Sequence, residues 1–448
     1  MKTLDLTTGS IAKHVLSLAL PSSIGLFFQT MYNVVDSFYA GQISTQALAA
    51  LGFSFPVFLL IIAASSGLSR GSSALIANAI GAGEQDKQLH FISQSLSLGI
   101  FVSALLTVTG LIVARPLFDL LGASGETLAA ALAYMTPIFI GAIFFVAINL
   151  CNAILVASGD SKTFGIVLVL GFFLNLIFDP WFLYGGFGLP AMGIAGIAWA
   201  TVVIQAIGSA LMISTILKRG LLNFSSWRVL IPNFKTWFEI GQQALPASFN
   251  IMSIAIGFLI TTYYLQFYGE ATVASFAVTT RIEQIVLMPT FGLNTAIMAL
   301  VGQNNGAKKY ARISETMRTC ISAGMTLNIA ASTFIYVFAE MLMRIFTSDD
   351  VVIEIGVNCV HIFALIQWCY LITSTHLAML QAIKRPMYGF FESITRKVIL
   401  PLPLMWLFVL KLNYNVNAVW WIVSGTSFLM TIITMVYART VLRKMTRK

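Results

Sequence analysis

A succession of apolar runs, each near the length of a bilayer crossing, constrains this chain more than any other feature. Leu96 to Ala114 is one such run; Leu18 to Val35 and Phe164 to Phe178 are others. A helix of about 20 apolar residues spans the hydrocarbon core, and in lipid every backbone group has to be satisfied internally. A membrane β-barrel would instead alternate polar and apolar residues in segments of about ten. Only 10% of the 448 residues are charged, whereas a soluble domain carries roughly 25%. The expectation is an all-α polytopic membrane protein. Its twelve transmembrane helices are read near 14–40, 48–79, 90–114, 126–157, 163–184, 191–217, 239–267, 271–302, 313–341, 352–380, 387–410 and 416–438.

The net charge of +9 does not point to nucleic acid, because the basic residues lie in short connections and the tail, as orientation signals do. With the N-terminus inside, the inner segments hold Lys87, Lys162, Lys218, Arg219, Arg228, Lys235, Lys308, Lys309, Arg312, Lys384, Arg385, Arg443, Lys444, Arg447 and Lys448. The outer loops hold little beyond Arg115, Arg344 and Lys411. Both termini are therefore expected in the cytoplasm. The polar start around Asp5, followed by a full-length span, reads as a retained first helix and not a cleaved signal. Cys151, Cys320, Cys359 and Cys369 sit in or beside apolar runs without metal-ligand spacing and read as packing residues.

The chain repeats itself at a fixed offset of 225 residues. Leu20-Pro21 recurs as Leu245-Pro246, Gly67-Leu68 as Gly292-Leu293, Gly81-Ala82 as Gly306-Ala307, and Ala157 as Ala382. One shared offset over distant points implies two homologous halves: a six-helix lobe over 1–217, a basic linker over 218–238 and a second lobe over 239–448. Six is even, so the halves share one topology about an axis along the membrane normal. That is a parallel repeat of the kind seen in secondary transporters, where substrate binds between the halves.

Two acids break the apolar pattern. Asp36 ends the run from Leu18 and Asp179 ends the run from Phe164. A charged carboxylate in hydrocarbon costs from about 3 to over 10 kcal/mol, so such residues are functional candidates by default. Adding 225 to their numbers gives Thr261 and Leu404; a purely architectural acid would be needed in both halves. Helical rise puts Asp36 about 33 Å and Asp179 about 24 Å from the inner helix ends, both in the outer half of the bilayer. Asn175 shares a helix face with Asp179, and Pro180 leaves the carbonyl of Leu176 without its helical donor. Tyr134 and Thr201 enter from outside at similar depth, with Gln29, Asn149 and Asn152 deeper along the same path. In the second half, Glu392 and Arg396 have the spacing of a structural ion pair, while Arg281, Glu283, His361 and His376 read as structural. Clustered catalytic groups at metal spacing are lacking, so the chain does not read as an enzyme.

Together these features resemble the multidrug and toxic compound extrusion (MATE) family, in particular its DinF-like bacterial branch. The carriers are Leu20-Pro21, Asp36, the run Gly302-Gln303-Asn304-Asn305-Gly306-Ala307, and Asn175-x-x-x-Asp179. The resemblance implies a cation-coupling site at Asp36, Asn175 and Asp179, extended to Tyr134 and Thr201. It also implies a substrate path with Gln29, Asn149, Asn152 and both aspartates. The NorM-like branch carries a second-half sodium site, but here its helix-7 position is near Ile254 and no acid follows Glu354 on the tenth helix. The expected function is a secondary antiporter. It exports amphipathic or cationic drugs in exchange for protons, with sodium at Asp36, Asn175 and Asp179 as the alternative. No cofactor and no nucleic acid are expected, and the protein is read as a monomer in the inner membrane of a bacterium. The rival reading is a flippase for lipid-linked or amphipathic substrates on a related fold, for which Arg281 is the one hint.

Overall fold

The computed structural model describes residues 4–186, 188–222 and 230–446. Arg228, Arg447, Lys448 and the middle of the basic linker lie outside the described residues. Apart from one isolated bridge between Gly186 and Leu189, regular structure among the described residues is helical. Among the described residues eleven helices are long and apolar enough to cross a membrane, and a bent pair read as one span brings the number to twelve.

The first half comprises α1 (Ile11–Ile43), α2 (Thr45–Gly81), α3 (Gln85–Leu120), α4 (Gly125–Ile140), α5 (Ala142–Ala157), α6 (Lys162–Tyr184) and α7 (Ile194–Lys218). The second comprises α8 (Phe234–Leu265), α9 (Glu270–Gly306), α10 (Tyr310–Val337), the short α11 (Ala339–Phe346), α12 (Asp350–Ala382), an interrupted helix over 387–411, and α15 (Asn417–Thr446). The interrupted helix runs through α13 (Met387–Ile394), a π-helical turn (Thr395–Ile399), α14 (Pro401–Met405) and a second π-helical stretch (Trp406–Lys411).

The offset of 225 recurs in the helix ends. Shifted by it, Thr45–Gly81 becomes 270–306, the bounds of α9. The span from Gly125 to Ala157 becomes 350–382, the bounds of α12. The halves then differ in two places. α4 and α5 meet at a bend of 50°, centred on Gly141, where a Cβ would stand 2.5 Å from Val202 Cγ2 of α7. Pro137 lies one turn earlier, so the cause is a proline followed by a glycine against a close neighbour. The equivalent residue, Ile366, lies inside unbroken α12. Conversely, α6 is regular, whereas its equivalent over 387–411 contains the two π-helical stretches.

The chain forms two compact units. One holds Leu20–Ser248 with the first residues to Asp5, and the other Leu6–Ala19 with Phe249–Lys448. Within the first, a core of Phe118, Met135, Ile138 and Ile197 joins α3, α4 and α7, and a second core of Leu75, Ile76, Ile92 and Ile154 joins α2, α3 and α5. Gln94 accepts from the Asn233 amide and donates to Ile231 O. In the second unit, Trp420 packs with Phe276 and Phe363. There the Gly302–Ala307 run anchors the N-terminal segment. Gln303 accepts from Leu6 N at 3.0 Å, and Asn304 donates to Leu6 O at 3.2 Å. Arg312 also donates to the carbonyls of Leu6, Thr8 and Gly9.

Candidate functional site

Within the first unit, α1 and α6 meet along a row of residues three or four apart. On α1 the row is Gly25, Phe28, Tyr32 and Asp36; on α6 it is Gly165, Leu168, Phe172, Asn175 and Asp179. Such spacing keeps one face toward a neighbour. At its start the row is a close backbone contact, where a Cβ at Gly25 would stand 3.0 Å from Gly165 Cα and one at Gly165 would stand 2.6 Å from Pro21 O. Phe28 then packs on Phe172 with ring centroids 5.3 Å apart. Two turns later the row becomes polar, and there Asn175 donates its amide to Asp36 Oδ1 at 2.9 Å.

Asp179 and Thr201 interact electrostatically with Asp36, and the field of both acids reaches Tyr32 and Tyr134. Counting back from the helix ends at one side gives similar depths by helical rise. Asp179 is about 8 Å from the end of α6, Asp36 about 11 Å from the end of α1, Thr201 about 11 Å from the start of α7 and Tyr134 about 14 Å from the start of α4. Asn175 and Asp179 are fully buried, and Asp36, Thr201, Tyr32 and Tyr134 nearly so.

The group is rich in oxygens and poor in donors. Asp179 Oδ1 and Oδ2, Asn175 Oδ1 and the Tyr32 hydroxyl are buried without a hydrogen-bond partner. The Thr201 hydroxyl is spent on Ile197 O at 3.1 Å. Buried polar atoms are ordinarily paired, and a bond between two carboxyl groups requires a proton on one of them. The site therefore lacks positive charge: a proton fits it, and so does a hard monovalent cation, since carboxylate, amide and hydroxyl oxygens are the ligands such ions take. No group of three or more His, Cys, Asp or Glu at metal spacing occurs among the described residues.

Of the residues singled out in the sequence, Asp36, Asn175, Asp179, Tyr134 and Thr201 come together. Gln29, Asn149 and Asn152 form no hydrogen bond to either acid among the described residues. Gln29 is exposed, Asn149 bonds back to Phe145 O at 2.9 Å, and the side-chain oxygen of Asn152 is buried without a donor. Sequence reasoning misses Tyr32. The signal for it is its place four residues before Asp36, on the same helix face. In the second half, Glu392 and Arg396 form the expected ion pair at 2.6 Å.

Comparison with known proteins agrees with this architecture. A family model, MatE, matches residues 21–181 and 246–407, one match in each half. The "Probable multidrug resistance protein NorM" of Thermotoga maritima is 30% identical over 371 residues, covering 82% of this chain and 78% of that one. A protein of Shewanella oneidensis named "FAD transporter" is 27% identical over 409 residues, covering 89% and 88%. A solved structure described as an outward-facing conformation of a multidrug resistance MATE family transporter superposes with a TM-score of 0.92 at 26% identity, covering 100% of this chain and 99% of that one. With a family match in both halves and a shared fold, this chain belongs to the MATE family of membrane transporters, and it is not an enzyme.

Proposed function

We propose that this transporter is an antiporter. It exchanges an external proton, or a sodium ion, for an amphipathic cationic organic compound by alternating access, with Asp36 and Asp179 as the coupling acids and Asn175, Thr201, Tyr134 and Tyr32 around them. The observation that carries the reading is the set of buried, donor-free oxygens about Asp179 and Asn175, present in the first half and replaced by Leu404 and Leu400 in the second. A cation entering this group removes the electrostatic reason to hold a cationic substrate; its release restores that reason. Relatives named for multidrug resistance support drug export. The lysine and arginine asymmetry supports both termini in the cytoplasm, and the inner membrane of a bacterium, with a monomer as the working unit, completes the proposal.

The driving energy follows from charge. One proton exchanged for one monovalent cation moves no net charge and draws only on the pH gradient, about 1.4 kcal/mol per unit. A second proton adds about 2.3 kcal/mol per 100 mV, and two acids permit it.

The test uses the purified protein in vesicles, with movement of a cationic dye driven by an imposed pH gradient, with and without sodium. Asp36→Asn and Asp179→Asn should each abolish gradient-driven transport while the protein stays folded. Normal gradient-driven transport in both variants rejects the mechanism. Transport by the native protein that follows sodium at constant pH assigns the coupling ion to sodium.

A further inference from the structure

The second unit carries the α1–α6 row in altered form, and the change is in polarity. Shifted by 225, the α1 positions become Asn250, Ser253, Gly257 and Thr261 on α8, and the α6 positions become Phe390, Ser393, Lys397, Leu400 and Leu404. Where the first row begins with glycine and phenylalanine and ends in acids, the second carries Asn250, Ser253, Ser393 and Lys397 in its earlier part and ends in Thr261 and Leu404. The inserted residues contact one another. Asn250 donates to Ser393 Oγ at 2.6 Å, Ser393 to Glu392 Oε2 at 3.2 Å, and Lys397 Nζ to Ser253 Oγ at 3.2 Å. The lysine stem lies against Gly257, where a Cβ would stand 3.1 Å from Lys397 Cβ.

The charges do not cancel. Glu392, fully buried, is held by Arg396 at 2.6 Å. Lys397 has no carboxylate oxygen within 4.0 Å among the described residues, so the cluster leaves its amine without an anionic partner. Serine occupies one of three ammonium donors, and the side chain is partly exposed. Lys397 is ten residues from the start of α13, about 15 Å along a helix. That places it near the middle of a hydrocarbon layer about 30 Å thick, beyond the depth of lipid headgroups. It also lies in the π-helical turn Thr395–Ile399, a distortion frequent at functional sites and one that regular α6 lacks. Phe390, about two helical turns before Lys397, meets Phe249 with ring centroids 5.5 Å apart, and Phe249 is 45% exposed.

We infer that the second unit holds a site for the anionic group of an aromatic organic molecule, a carboxylate or an equivalent oxyanion, with the Lys397 ammonium as its charge partner, Ser253 and Asn250 as neighbouring polar groups, and Phe249 and Phe390 beside the ring. Arg396 is a positioning residue, committed to Glu392. The site belongs to the second unit and the acids to the first.

The experiment pairs two xanthene dyes of opposite charge, fluorescein (anionic) and rhodamine 6G (cationic), titrated by fluorescence anisotropy into the full-length protein in detergent against empty micelles. Lys397→Met should weaken fluorescein roughly tenfold, as loss of one charge-assisted hydrogen bond does, while Lys397→Arg keeps most of the affinity and rhodamine 6G stays within about twofold in all three proteins. Equal fluorescein binding by native protein and Lys397→Met overturns the inference, as does native protein that binds fluorescein no better than micelles. An equal loss of both dyes also overturns it, because the role is then structural. Should Lys397→Met fail to fold, amine-reactive labelling of Lys397 in the native protein decides: protection by fluorescein supports the site, and labelling unchanged by fluorescein overturns it. Rhodamine 6G transport in vesicles reads the coupling acids independently, so the two proposals can fail separately.

Discussion

Asn175 stands one helical turn before Asp179 and donates its amide to Asp36 Oδ1 at 2.9 Å, so one neutral side chain on α6 reaches the acid of α1 and lies beside the acid of its own helix. Its carbonyl oxygen meets no donor and completes the oxygen-rich group. A hydrogen bond to a charged group contributes about 1.5–3 kcal/mol. Asn175→Ala should therefore favour the protonated acid and lower the half-saturating proton concentration for dye export from vesicles by roughly 10- to 100-fold, whereas a sodium ion would lose the Asn175 oxygen and need a higher concentration. An unchanged half-saturation point would reduce the bond to packing.

The site depends on a contact more than two turns away. A methyl group at Gly165 would meet Pro21 O at 2.6 Å, and a backbone oxygen cannot rotate aside. Gly165→Val should cost about 1–3 kcal/mol as overpacking does. It should also lower transport by separating α1 from α6 at the row that carries the acids. Gly171→Ala on the same helix is the control, because its Cβ would lie at an ordinary 3.4 Å from Ile204 Cγ2. There the helix gains from losing a glycine, by about 0.5–1 kcal/mol. Thermal unfolding in detergent, run beside the vesicle assay, should order the proteins as Gly171→Ala, native, Gly165→Val; equal stability of the last two would remove the contact from the account.

Much of this is legible in the sequence because lipid leaves few options. Long apolar runs have to be helices, and the shared offset of 225 residues is carried by dipeptides such as Leu20-Pro21 and Leu245-Pro246. Asp36 and Asp179 stand out because acids are rare in such runs. Tyr32 does not, since a tyrosine in a span is ordinary until its face is known. Depth alone groups Gln29, Asn149 and Asn152 with the acids, yet depth says nothing of azimuth, and Gln29 points to an exposed side of α1. Nor is the bend at Gly141 visible in hydropathy: Pro137 and Gly141 permit it, but the close neighbour is Val202, a residue 61 positions away. The Gly302–Ala307 run reads in the sequence as a family mark, and only the fold shows Gln303 and Asn304 holding Leu6.

Asp160 ties together the entrance to α6. Its carboxylate accepts from Thr163 N at 3.1 Å and from the Thr163 hydroxyl at 2.6 Å, and it pairs with Arg219 at 2.6 Å. Arg219 is a third exposed, so solvent weakens the ionic part, while the two hydrogen bonds at a helix start retain their worth. Asp160→Ala should lower stability by about 1–2 kcal/mol, and Asp160→Asn by less, because the amide oxygen still caps the helix. The ratio of the two losses, from thermal unfolding in detergent, tests the assignment. Equal losses would mean that the charge on Asp160, and not its capping, supports the turn.

The buried pair in the second unit makes a sharper thermodynamic test. Glu392 is fully buried and Arg396 nearly so, 2.6 Å apart. Removing one partner of such a pair leaves an uncompensated charge and costs about 3–5 kcal/mol, whereas replacing both with apolar residues of similar volume is often neutral. Glu392→Met should be the worst single change, because it leaves Arg396 buried without its anion; Arg396→Met strands the acid with Ser393 as its remaining donor. The double variant should recover most of the loss, giving a strong coupling energy in a double-mutant cycle. It should also leave rhodamine 6G export intact, since neither residue belongs to the acid group of the first unit. Additive losses in the cycle would show that the two side chains act independently, and loss of export in a stable double variant would move the pair from scaffold to transport machinery.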